Sequence, residues 1–391
     1  MERTTAKKNK YEIDMCNGTI MDKLISFSLP LMLSGILQLM FNAVDIIVVG
    51  RFSGSQALAA VGSTSALINV FTNLFIGISL GANVLTARFY AAGREKEVSE
   101  TVHTAITLAL VSGIVMALVG LVFSKGALAL MGTPDDVIGL SALYMRIYFL
   151  GMPFFMLYNY GAAILRAVGD TKRPLLFLMI AGVINACLNM VLVIVFKLGV
   201  AGVAIATVIS QMISCVLVLR CLCRSESSYR LRFSELGMKG YYLKQIFSVG
   251  VPAGIQSTVI NFSNVLLQSS VNSFGSTAMA GYTAANNLLG FLYVSVNSIT
   301  QACMSFTSQN YGVGKLKRMD RVLADCMILS VVVAVVLGCI CYGFGPEILQ
   351  IYTEDAEVIA CGMEILAYTT ITYFLCGWMD LFPGALRGMG Y

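Results

Sequence analysis

LISFSLPLMLSGILQLMFNAVDIIVVG, residues 24–50, lies between Lys23 and Arg51 and contains one ionisable residue, Asp45. Wound as an α-helix at about 1.5 Å per residue, it is longer than the roughly 30 Å hydrocarbon core of a bilayer. Within hydrocarbon every backbone N–H and C=O must be satisfied inside the segment, so the stretch predicts a transmembrane helix. A carboxyl group in such a helix costs at least roughly 2.5–3.5 kcal/mol on insertion scales, and it faces a cavity, the protein interior or a partner. The stretch thus sets the class, an all-α polytopic membrane protein, and makes Asp45 the first candidate functional residue.

The rest of the chain has the same character. Of its 391 residues 57% are hydrophobic and 12% charged, whereas about a quarter of a soluble domain is charged. Apolar runs punctuated by charge predict ten helices near 24–50, 56–87, 99–123, 138–165, 174–196, 200–220, 245–272, 278–309, 322–344 and 358–386. Residues 1–23 are polar and of mixed charge with no small-residue cleavage site, so the first helix is expected to serve as an uncleaved signal anchor. With the N-terminus in the cytoplasm and every helix alternating, all but four of the 26 lysines and arginines fall inside. The exceptions are Arg51, Lys125 and Lys197 outside and Arg146 within a helix. The positive-inside rule therefore predicts a cytoplasmic N-terminus.

The sequence also repeats at an offset of about 222 that narrows to 221. SFSLP at 26–30 falls on SVGVP at 248–252, FYAAGRE at 89–95 on NYGVGKL at 310–316, GTPDDVI at 132–138 on TEDAEVI at 353–359, and ILRAVGD at 164–170 on ALRGMGY at 385–391. The first and seventh helices both run outward, so the repeats are parallel and related by an axis along the membrane normal. The expected organisation is a cytoplasmic segment (1–23), a six-helix N-lobe (24–223), a cytoplasmic linker (224–244) and a four-helix C-lobe (245–391). Two helices follow ILRAVGD and none follows ALRGMGY, so a complete chain on this plan is expected to have six plus six. The linker, RSESSYRLRFSELGMKGYYL at 224–243, mixes basic and aromatic residues and is expected to carry a helix lying on the inner leaflet surface.

Spacing sharpens the site. Gln38, Asn42 and Asp45 are at i, i+4 and i+7, on one face of the first helix; Asn185 and Asn189 repeat the device in the fifth helix, and the fourth adds Tyr144 and Asn159. Amides, a phenol and one carboxyl converging between helices would form a hydrated pocket for a proton, a small cation or a cationic solute. For each amide, interhelical hydrogen bonding is the bland alternative; for Asp45 it is a poor one, because burying an ionisable group is a weak route to stability. In the second half Gln256, Asn264, Gln268, Asn297 and Gln301 form a polar lining, but Leu267 stands opposite Asp45 in the repeat, and Asp380 is near enough to Arg387 to pair with it. His103 is expected to be a solvated interfacial residue. Eleven singly scattered cysteines show no metal or disulfide spacing, and no catalytic constellation is present. Nothing points to an enzyme, an organic cofactor or nucleic acid; the expected partners are the bilayer and a small organic substrate, with the chain working as a monomer.

These residues resemble the multidrug and toxic compound extrusion (MATE) family, within the wider multidrug, oligosaccharidyl-lipid and polysaccharide flippase group. The resemblance rests on SLPLMLSGILQLMFNAVDIIVVGRFSG, YMRIYFLGMPF, LRAVGDTKRP, INACLNMVLV at 184–193 followed by GVAGVAIATVISQ at 199–211, and GVP and ALRGMG in the second half. It implies an inner (plasma) membrane antiporter of two six-helix lobes that exchanges H+ or Na+ for amphipathic, often cationic compounds, with Asp45 as the coupling group and Gln38, Tyr144, Asn159, Asn185 and Asn189 around it. Where some members carry a second aspartate in the fifth helix, this chain has Asn189, which argues against a two-carboxylate mechanism. A lipid-linked sugar flippase would be expected to show a cavity rich in Arg and Lys, and a non-transporting receptor or scaffold would have no use for duplicated lobes.

Overall fold

In the computed structural model, which describes residues 11–350 and 355–391, regular structure is helical, with one π turn and one 3₁₀ turn. Arg3, Lys7, Lys8 and Lys10 lie outside the described residues, as do Thr353, Glu354 and the side chain of Gln268. The helices are α1 (Met21–Phe52), α2 (Ser55–Ala91), α3 (Glu95–Leu130), α4 (Asp135–Leu150), α5 (Met152–Ala167), α6 (Lys172–Asn189), α7 (Gly199–Cys223), α8 (Gly240–Asn272), α9 (Ser276–Gly312), α10 (Leu316–Gly343), α11 (Gly345–Gln350) and α12 (Ala356–Met389). Helices α4 and α5 meet at Gly151 with a bend of 47°, and Pro153 at the start of α5 fits the first turn, where its missing N–H has no helical partner to lose. Among the described residues seven helices are long and apolar enough to cross a membrane, or eight if the bent pair is one span. The ten predicted spans include two others, α8 and α9; these have 33 and 37 residues, but their amides and hydroxyls lower their apolarity.

The repeat is written into the turns. Gly54, Gly93 and Gly169 have φ of 87°, 71° and 97°, and Gly275, Gly314 and Gly390, each 221 positions later, have 99°, 73° and 93°. Backbone of positive φ is open to glycine at little cost, and each pair marks the same helix boundary in both halves, Gly54 and Gly275 as the N-caps of α2 and α9.

Packing does not follow the division at the linker. The largest apolar cluster joins α2–α7 and takes in Val48 and Val49 from the end of α1, together with Tyr242 and Ile246 from the start of α8. A second cluster joins Leu24, Phe27 and Leu31 from the start of α1 to Ile299, Phe306, Val322 and Leu381 of α9, α10 and α12. The opening turns of α1 and α8 thus pack into the opposite half. Helix α8 reaches α2 through small residues: a Cβ on Gly250 would sit 2.5 Å from Ile78 Cα, and one on Gly254 2.7 Å from the Leu74 carbonyl oxygen.

The hydrogen bonds joining the halves cluster at the end that bears the linker and the α2–α3 and α9–α10 turns, called here the basic end. Ser305 donates to Asn83 Oδ1 (3.2 Å), Ser308 to the Val84 carbonyl (2.6 Å), Gln309 to the Ala167 carbonyl (2.7 Å) and Arg88 to the Met389 carbonyl (2.6 Å). Residues 11–20 run across this end as a strap. Glu12 accepts from the Tyr90 and Tyr229 hydroxyls, each at 2.7 Å, and the Met15 carbonyl accepts from Asn310 (3.1 Å), with the Met15 side chain fully buried.

Two expectations are corrected here. The linker is not an amphipathic surface helix: it has a single 3₁₀ turn, Phe233–Glu235, and Tyr229 and Leu231 are buried against the first half. The apolar residues of 224–243 are thus used to fold the segment back onto the bundle. His103 is buried rather than solvated; its Nδ1 lies 2.6 Å from the Ser99 carbonyl and its Nε2 3.0 Å from the Arg232 N–H. A carbonyl only accepts and an amide N–H only donates, which fixes the neutral Nδ1–H tautomer. His103 clasps the linker.

Candidate functional site

Asp45 sits in the second half of α1 with 9% of its surface exposed. Asn189, the last residue of α6 before the π turn Met190–Val195, donates its amide to Asp45 Oδ1 and also to Asn185 Oδ1, the latter at 3.2 Å. Thr207 of α7 shares its one hydroxyl hydrogen between the Val203 carbonyl at 3.0 Å and Asp45 Oδ2 at 3.4 Å. The widened π turn follows directly on Asn189, a local irregularity of the kind that marks functional sites. Asn189 Oδ1 is buried with no hydrogen-bond partner among the described residues.

These groups border a cavity of 300 Å³ between α1, α2, α4, α5, α6 and α7. Gln38, Asn42, Asp45, Tyr144, Asn159 and Asn185 all line it, and Asn189 reaches it through Asp45. The stripe read from i, i+4, i+7 spacing therefore does face one pocket. Asn159 is held by its own helix, donating to the Phe155 carbonyl at 2.8 Å, and Tyr144 stacks on Tyr148 with ring centroids 6.1 Å apart.

The sequence reading missed Asn69, Asn73, Tyr148, Thr207 and Gln211, which share the lining. Three carried a signal: Asn69 and Asn73 repeat the i, i+4 amide device in α2, and Tyr148 follows Tyr144 by four. Thr207 carried none, since a threonine in an apolar helix ordinarily bonds its own backbone, as this one does to the Val203 carbonyl at 3.0 Å.

A second cavity of 440 Å³ lies between the halves and shares Gln38, Asn73, Ile76 and Asn159 with the first. Gln256, Asn297 and Gln301 line it as expected, with Gln301 donating to Asn297 at 3.0 Å. Asn264 does not, and is exposed. It follows Gln256 by eight residues, about 80° around the helix and two turns beyond, so α8 carries it off the cavity face. Leu267, the repeat partner of Asp45, is also exposed (54%).

The same cavity holds charges that the sequence reading assigned to loops or to a simple pair. Asp380, Arg387 and Arg166 all line it. Asp380 and Arg387 form no ion pair within 4.0 Å, and Arg387 instead donates to Gln256. Arginines at helix ends, read as cytoplasmic punctuation, thus turn back into the interior, and the cavity is not lined by amides and an acid alone.

Comparison with known proteins gives this arrangement a context. The MatE family model matches residues 30–191 and 252–391. The chain is 33% identical over 373 residues to the "Probable multidrug resistance protein YoeA" of Bacillus subtilis (strain 168), covering 93% of this chain and 80% of that one. It is 23% identical over 371 residues to the "Multidrug export protein MepA" of Staphylococcus aureus (strain NCTC 8325 / PS 47), covering 94% and 81%. A solved structure described as the outward-facing conformation of a multidrug resistance MATE family transporter of the MOP superfamily superposes with a TM-score of 0.92 at 20% identity, covering 98% of this chain and 86% of that chain.

Proposed function

The chain belongs to the MatE family of multidrug efflux transporters, and from that premise we propose that it is a secondary-active antiporter. It exchanges H+ or Na+ for amphipathic organic compounds by alternating access, with Asp45 as the coupling group. The observation that carries this reading is the buried Asp45 carboxylate, held by Asn189 and Thr207 at the wall of a cavity that adjoins the one between the halves. An ionised Asp45 holds a cation or a proton there; filling or emptying that site changes the charge of a cavity wall and biases the two halves between arrangements. A differential binding of about 1.4 kcal/mol already moves such a population tenfold.

In this reading the basic end is cytoplasmic, the N-terminus lies inside, and the membrane is the plasma membrane. The bonds and strap that close the basic end then describe an arrangement shut towards the cytoplasm. The test is dye efflux from proteoliposomes under an imposed pH or Na+ gradient, comparing wild type with Asp45→Asn at matched reconstitution. Wild type should export and the variant should not; equal export by both would remove Asp45 from the mechanism.

A further inference from the structure

Matching hollows stand at the basic end of the two halves, with opposite charge at a corresponding position. In the first half Lys96, Glu100 and His103 of α3 line a hollow whose other wall is the linker, with Lys239 ion-paired to Glu100 and the Arg232 N–H on His103. Their counterparts 221 positions later are Lys317, Arg321 and Ala324 of α10. Lys317 and Arg321 line a second hollow, together with Arg318 and with residues 18–22, where the strap enters α1. An arginine thus stands where the first half has the acid that holds the linker. Lys317 and Arg321 are exposed, with no ion pair or side-chain hydrogen bond among the described residues, whereas Arg318 donates to the Met15 and Asn17 carbonyls of the strap. Asp22 and Asp325 also line this hollow without an ion pair to either within 4.0 Å, so three cations against two acids leave it a net charge of +1. Below it the surface turns apolar. Lys317, Arg321, Ala324, Ile328 and Val332 follow one another at steps of four, three, four and four residues, which keeps them on one stripe of α10, and all five are exposed. Ala324, Ile328 and Val332 form a groove with Trp378 of α12, whose indole N–H donates to the Met327 carbonyl at 3.4 Å. From Lys317 to Val332 is about 22 Å along the helix, half the thickness of a bilayer of roughly 40–45 Å. The stripe has the length, and the order from charged to apolar, of one leaflet.

We propose that this stripe binds one anionic phospholipid of the leaflet at the basic end, its phosphate on Lys317 and Arg321 and an acyl chain in the groove beside Trp378. The guanidinium of Arg321 offers a planar fork of donors that matches a phosphate, and Lys317, one turn away, adds a point charge. Each basic group near an anionic surface contributes about 1 kcal/mol, so two without partners suffice to select an anionic headgroup over a zwitterionic one. The chain itself offers no matching occupant upstream of the strap: residues 1–10 set Arg3, Lys7, Lys8 and Lys10 against Glu2, and their charge would be repelled. A soluble anion would use the hollow and leave the groove below it idle, whereas a phospholipid uses both. The first half needs no such lipid, because Glu100 and His103 are already taken by the linker. The site depends on the helices lying in a membrane and not on the export reading.

Trp378 is the chain's only tryptophan, so its fluorescence reports on the groove directly. The full chain is reconstituted in mixed bilayers of phosphatidylglycerol and phosphatidylcholine at about 0.15 M salt, with bromine on the acyl chains of one lipid or of the other. Bromine quenches an indole only at close approach, and the two quenching curves together give the preference of the groove for the anionic lipid. That preference should be about tenfold in the wild type and fall to near one in the doubly substituted Lys317→Gln/Arg321→Gln. Brominated phosphatidylcholine should still quench this variant, which shows that its groove is intact. The exchanged pair Lys317→Arg/Arg321→Lys keeps both charges and should retain most of the preference, and Lys96→Gln, in the corresponding hollow of the first half, should leave it at the wild-type value. A wild type quenched equally by the two lipids, or a preference that survives in the double glutamine variant, overturns the proposal. A preference abolished by inorganic phosphate at constant ionic strength would assign the hollow to a soluble anion and overturn it too.

Discussion

Asn83 of α2 and Ser305 of α9 hydrogen-bond to each other at 3.2 Å across 222 positions of sequence, one more than the offset of 221 that relates α2 to α9. A residue that touches the neighbour of its own repeat partner lies close to the axis relating the halves, so this contact lies beside that axis at the basic end. Asn83 further donates to the Ala163 carbonyl at 2.8 Å and so ties α2, α5 and α9 together. Asn83→Ala would leave Ser305 and the Ala163 carbonyl without these partners, a cost of about 1–3 kcal/mol that falls on the closed arrangement. The expected outcome is a wider basic end, read as a longer distance between spin labels at the exposed Lys96 and Lys317. An unaltered distance distribution would show that the axis contact does not hold the halves together.

Asn189 and Thr207 hold Asp45 by hydrogen bonds at the cavity wall. In the proposed exchange, Asn189→Ala and Thr207→Val loosen the group that couples export to the gradient, so gradient-driven dye export should fall about threefold to tenfold at matched reconstitution. Export equal to wild type in both variants would mean that these donors do not act on Asp45.

Glu12 holds the strap to the first half through two phenolic hydroxyls at 2.7 Å. Glu12→Ala removes both bonds while leaving Met15 seated in the second apolar cluster. Amide hydrogen exchange over residues 11–20 should then quicken by roughly tenfold, with little change in α3 or α10. Exchange that remains as slow as in wild type would show that the strap is secured by its other contacts, among them Met15, the Asn310 bond and the bonds from Lys315 and Arg318.

Gly250 meets Ile78 with room for hydrogen only. Gly250→Val forces α8 away from α2 and should cost about 1–3 kcal/mol, seen as a lower midpoint in thermal unfolding of the detergent-solubilised protein. Gly126, which has nothing within 4 Å of a Cβ, is the control, and Gly126→Ala should melt like wild type. Equal midpoints for Gly250→Val and wild type would refute the close crossing.

Much of this was legible in the sequence, for physical reasons that differ by residue. Helices announce themselves because a segment in hydrocarbon has to be long and apolar, and Asp45 stands out because charge there is rare. Gln38 and Asn42 could be placed with it because helical period fixes which residues share a face. Arg166 and Arg387 could not be placed, since a long side chain at a helix end can reach water or turn inward and linear position does not say which. The strap was equally hidden: residues 11–20 have no periodicity, and their order comes from partners some 80 to 300 positions away. Asn264 was misplaced because an amide in an apolar run advertises polarity without direction. The linker misled for a related reason, its aromatic residues reading as membrane anchors when Tyr229 is packed inside protein.

Helix α1 has its opening turns in one apolar cluster and its closing turns in the other. In the proposed exchange it is a rod clamped at both ends in bodies that move relative to each other. Leu24 and Asp45 are 21 residues apart, about 31 Å along that rod. A small tilt produced at Asp45 would then be delivered, by leverage, into the far body, with no chain of intermediaries required. Stiffness then becomes a functional quantity: softening α1 between its clamps, near Ser34 and Gly35, should uncouple ion binding from export before it weakens either one.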